Sequence, residues 1–132
     1  MPVMYVQTTG TQNANWGAPQ PIQGLTLTLP EGVGEQALVI LNVPNPSAYT
    51  TPGASGGGWF GISVNGVISP TVATFNFTAP TMGGGMYITM VVPTTLVVAV
   101  PLGVQPQKIV AMWQSLGQGL SINSPASMSV LI

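Results

Sequence analysis

Trp59–Ser69 reads WFGISVNGVIS, and its middle decides the fold. Asn65-Gly66 is the dipeptide that a two-residue type I′ hairpin turn selects, because both turn positions need positive φ. The apolar run Trp59–Val64 leads into it, and Val67–Ser69 begins a return. The stretch predicts two antiparallel strands joined by a tight turn.

Working outward, the same signal recurs. Leu25, Leu27 and Leu29 alternate with Thr26 and Thr28, the period of a half-buried strand. Ala37–Val43 (ALVILNV) is a continuous apolar run, which predicts a core strand of a sandwich. Thr74–Thr78, Tyr87–Val92, Leu96–Val100, Lys108–Leu116 and Ser127–Ile132 bring the expectation to about eight to ten strands. Thirteen prolines and seventeen glycines leave no room for a helix longer than a turn or two. Pro44–Gly58 (PNPSAYTTPGASGGG) reads as a long loop of the kind that often carries function. The fold class is therefore all-β, one domain over 1–132, an antiparallel sandwich or barrel.

Charge excludes several functions. Glu31, Glu35 and Lys108 are the only charged side chains among 132 residues, with no Asp, Arg or His. Phosphate-binding surfaces need clustered Lys or Arg, so neither nucleic acid nor a polybasic membrane contact is expected. Cysteine is absent, which removes disulfides and thiolate metal sites. Two carboxylates separated by Gly-Val-Gly read as a turn with solvated charges, too little for acid–base catalysis or a metal site. No spacing motif supports a serine activated by Lys108. The chain is expected not to be an enzyme and to use no cofactor.

The most apolar window, Met86–Leu102, is interrupted by Pro93 and Pro101 and is shorter than a spanning helix, so no membrane insertion is expected. The first residues, MPVMYVQTTG, lack a classical signal-peptide pattern. Export by a non-classical route leaves an extracellular or cell-surface location open. A chain with 45% apolar residues and this little charge is prone to associate, which implies that part of its surface faces other subunits.

Ala79–Tyr87 (APTMGGGMY) places Gly83, Gly84 and Gly85 between two strand signals. A phosphate loop would continue as Gly-Lys-Ser/Thr into a helix; Met86-Tyr87-Ile88 follows instead. The cluster is either a turn or the wall of a ligand site on a β scaffold.

Val39–Pro44 (VILNVP) followed by Pro46, the pair Trp59-Phe60, Asn65-Gly66-Val67, Pro80, Gly84-x-x-x-x-Thr89 with Met86, Trp113-x-Ser115, and Ala126-Ser127 together resemble the TNF-like fucose-binding lectin domains, a family typified by the N-terminal domain of the Burkholderia two-domain superlectin. The resemblance runs over most of the chain. It implies a jelly-roll protomer, a compact homotrimer, and glycan sites between neighbouring subunits. In that family one protomer presents a Thr-Tyr pair and an Arg, and its neighbour a Tyr, a Thr and a second Arg. At the matching positions this chain has Thr74, Phe75 and Gly85 on one side, and Trp59 and Gly83 with the arginine-free Leu116-Gly117-Gln118 loop on the other. Each arginine bond to a sugar hydroxyl is worth about 1.5–3 kcal/mol, so losing two removes roughly two to four decades of affinity and leaves fucose without its charged contacts. The triple glycine resembles the ligand loop stripped of its side chains.

Two functions follow as expectations. One is a lectin of altered specificity, in which Trp59 stacks on a sugar and Thr74, Asn76, Gln114 and Gln118 supply neutral hydrogen bonds, although Trp59, Trp113 and Phe75 are also at home in a core or interface. The other is a structural trimer, a coat, fibre or appendage module without sugar binding.

Overall fold

The computed structural model describes residues 3–14, 16–81 and 87–132. Thirteen strands occupy them: β1 (Val3–Gln7), β2 (Gln12–Ala14), β3 (Gln20–Leu29), β4 (Gln36–Val43), β5 (Pro46–Thr50), β6 (Ser55–Val64), β7 (Val67–Ile68), β8 (Ala73–Thr78), β9 (Ile88–Val91), β10 (Thr94–Pro101), β11 (Gln107–Ser115), β12 (Gly119–Ile122) and β13 (Ser127–Leu131). No helix occurs among the described residues, and none is long and apolar enough to cross a membrane.

The hairpin at the chain's centre forms as its sequence requires. Asn65 and Gly66 take φ of 52° and 86°, and Val64 faces Val67 across the turn. The Asn65 side chain adds a bond of its own, its Oδ1 accepting the Lys108 backbone N–H at 2.8 Å. From this apex the chain pairs with itself in a nested order. β6 pairs with β8, β5 with β9, β4 with β10, β3 with β11, β2 with β12 and β1 with β13, all antiparallel. The fold is one long ribbon doubled back at β7.

Rolling the ribbon brings its strands into three sheets. Their orders are β1-β13-β4-β10, β3-β11-β6-β7 with β8 also on β6, and the short β2-β12-β5-β9. The core lies between the two larger sheets, with Trp113, Phe60, Ile62, Leu25, Leu29 and Ile109 from one and Val39, Leu41, Leu96, Val98, Met128 and Val130 from the other, all buried. Full burial of each large side chain stabilises by roughly 1.5–3 kcal/mol.

Two sequence expectations are corrected. Pro44–Gly58 is not a loop: it contains all of β5, a turn at residues 51–54, and the start of β6. The glycines stay in a strand because β8 fills the space their missing side chains leave. A Cβ at Gly56 would stand 2.8 Å from Cζ of Phe77, and one at Gly58 would stand 2.8 Å from Cε1 of Phe75. Aromatic rings lying across strand glycines hold the ladder together. The strand count also exceeds eight to ten: β1, β2, β5 and β12 are the additional strands, and the short β2, β5 and β12 carry little apolar alternation of their own.

Ala37–Val43 forms β4, but only one of its faces is core. Ala37, Val39, Leu41 and Val43 are buried, whereas Leu38 is exposed and Ile40 half-buried on the outer face. On that face two rows run across the sheet, Val3–Leu131–Leu38–Ala99 and Tyr5–Ser129–Ile40–Val97. Val3 and Tyr5 are more than half exposed, and neither row contains a charge.

Candidate functional site

The register of β6 sets the candidate site. Phe60 and Ile62 turn into the core, so Trp59 and Gly61 turn outward. Trp59 is half-buried, and its six-membered ring covers Gly61: a Cβ there would meet Cη2 at 2.7 Å and Cζ2 at 3.0 Å. The indole therefore lies along the sheet instead of standing away from it.

Two polar residues are the cross-strand partners of Trp59, while its ring reaches along the strand to Gly61, which Met112 of β11 faces. Gln114 of β11 faces Trp59 on one side, and Thr74 of β8 faces it on the other. Thr74 is exposed. Gln114 donates through Nε2 to the Gly17 carbonyl, which leaves its Oε1 as an acceptor group. Asn76 is the next outward residue of β8, also exposed.

Of the residues singled out in the sequence, the fold brings Trp59 and Thr74 together within a single chain. Phe75 goes elsewhere. Strand alternation sends it to the opposite face, where it packs against the core and over Gly58. Gly83, Gly84 and Gly85 lie outside the described residues. Lys108 is exposed near the hairpin end of β11, three outward positions from Gln114.

At the other end of β6 a cleft of about 410 Å³ opens between Trp16, Thr50, Ala54, Ser55, Leu116, Gly117 and Gln118. Here the Leu116-Gly117-Gln118 loop meets the β5–β6 turn. A Cβ on Gly117 would stand 2.7 Å from the Gly56 Cα and 2.8 Å from the Ser55 carbonyl oxygen, so backbone fills the room a side chain would need. The Leu116 N–H also donates to the Gly57 carbonyl at 3.0 Å. Position 117 cannot carry an arginine without moving one of these segments.

Trp16 was missed in the sequence reading. It lies in a loop without strand periodicity, and its only local mark is a tryptophan followed by glycine in a polar stretch.

Compared with models of known protein families the chain matches none, and no curated protein matches it.

Proposed function

We propose that the chain is a trimeric lectin of the TNF-like jelly-roll type that binds neutral sugar rings on Trp59. The observation that carries this reading is the half-buried indole of Trp59 laid over Gly61, with Gln114 and Thr74 as the cross-strand partners of the tryptophan. A pyranose presents a face of C–H bonds and a rim of hydroxyls. A flat aromatic ring matches the first, and neutral hydrogen-bonding groups match the second.

The jelly-roll reading rests on the nested pairing. A doubled ribbon wound round a core, with outermost strands paired together, is what a jelly roll's two facing sheets require. The trimer rests on the uncharged outer face of β1-β13-β4-β10, whose two apolar rows fit a second copy of the same neutral chain better than water. Gly85 stands where the family has one arginine and the Leu116-Gly117-Gln118 loop lacks the other, so fucose recognition through charge-assisted bonds gives way to stacking and neutral contacts.

The apolar face and the near absence of charge also favour a second reading, an assembly module without sugar binding. A glycan array run with purified protein, beside light scattering, separates the two. Binding of several neutral glycans by a particle about three times 13.5 kDa supports the lectin. A blank array with assemblies larger than a trimer supports the second reading.

A further inference from the structure

Trp16 is the most exposed large apolar side chain among the described residues, 73% accessible, yet its backbone is held. It forms a parallel bridge with Ser115, and the next residue, Gly17, accepts the Gln114 amide through its carbonyl. The exposure thus belongs to a fastened segment, not to a frayed one. An aromatic side chain on a fastened backbone at the edge of a cleft spares the ligand the cost of ordering that backbone.

The cleft beside it is chemically selective. Ser55 and Gln118 are exposed polar residues, Leu116 is half-buried, and none of the lining side chains is charged. Its volume of about 410 Å³ lies within the range of small-ligand sites. Such a lining suits a neutral polyhydroxylated ring with an apolar face, and gives nothing to neutralise an anion or a cation. Gln114 connects this cleft to the first platform: its Cα lies one strand spacing, about 5 Å, from that of Trp59, and its side chain reaches Gly17.

We infer that the Trp16 cleft is a second saccharide subsite, taking a later ring of a neutral oligosaccharide whose first ring stacks on Trp59. This rests on the lectin reading above and extends it from one sugar to at least two. The Trp16 subsite makes the protein a reader of chain length as well as of ring type.

The test is titration calorimetry with galactose, fucose, N-acetylglucosamine and neutral trisaccharides built from them, on the parent protein, Trp16→Ala and Trp59→Ala. The parent should bind a trisaccharide about tenfold or more tighter than its terminal monosaccharide. Trp16→Ala should erase that advantage and leave the monosaccharide affinity unchanged, while Trp59→Ala removes both. If Trp16→Ala binds trisaccharide as tightly as the parent while Trp59→Ala does not bind, the subsite is wrong and the Trp59 platform stands. If the parent binds none of these sugars, both fall. Thermal unfolding of Trp16→Ala is expected to match the parent, since so exposed a ring contributes little packing.

Discussion

Trp59 and Gly61 are two residues apart on one face of β6, and the indole of the first fills the space that a side chain on the second would need, 2.7 Å from Cη2. The glycine is what lets the ring lie down. The obstacle to a larger residue at 61 is the far end of a surface side chain, which can swing away at small cost.

Gly61→Val should therefore leave stability within about 1 kcal/mol of the parent, because the gain in strand propensity offsets the displaced ring. The indole, lifted from the sheet, should become more accessible to acrylamide, and saccharide binding should drop at least about tenfold. Fluorescence quenching and calorimetry on the same variant check both halves.

Gly119 and Tyr49 form a tighter pair with the opposite expectation. They face each other across β12 and β5, and the phenol ring occupies the position of a Cβ at 119. Tyr49 is held in turn by an edge-on contact with Tyr87, ring centres 5.2 Å apart. Gly119 is buried, so Gly119→Ala forces overpacking that costs about 1–3 kcal/mol and lowers Tm by several degrees. The penalty should shrink in a Tyr49→Ala background, a coupling that a double-mutant cycle of thermal unfolding measures.

Assembly through the outer face of β4 predicts that a charge there disperses the trimer without unfolding the protomer. Leu38→Glu and Val97→Lys each place an ion in a row that contains none. Light scattering should fall toward the monomer mass while the far-ultraviolet circular dichroism keeps its β signature. An unchanged trimer in both variants would move the interface elsewhere.

With three charged side chains in the whole chain, neither assembly nor binding has much Coulombic energy to screen. Raising salt from about 0.02 to 0.5 M, which shortens the Debye length several-fold, should change saccharide affinity less than about twofold. A steep salt dependence would mean that Lys108 or one of the two glutamates takes part.

What the sequence made legible was local. Asn65-Gly66 named its own turn, because positive φ is a property of two residues. The alternation at Leu25–Leu29 and the breaks at Pro93 also needed no partner. What it hid depended on register. Gly56–Gly58 reads as loop until Phe75 and Phe77, from another strand, are laid across it. Ala37–Val43 reads as wholly buried because its outward-facing Leu38 and Ile40 are as apolar as the residues that enter the core. At the site, Trp59 and Thr74 were both legible as candidates, but their adjacency in one chain follows from the β6–β8 pairing alone. That pairing also commits Phe75 to the core. Trp16 owes its interest to where its loop is tied, through Ser115 and Gln114, which no local pattern encodes.

The central claim is that Trp59 is a saccharide platform and not a packing residue. Its most direct test is calorimetric titration of the parent and Trp59→Ala with the best neutral glycan from the array, with light scattering on the same samples. Removing an aromatic anchor costs about 2 kcal/mol or more, so affinity should fall at least about thirtyfold while the trimer stays intact. Parent-like affinity in Trp59→Ala, or a trimer that dissociates or unfolds on losing the ring, would contradict the claim.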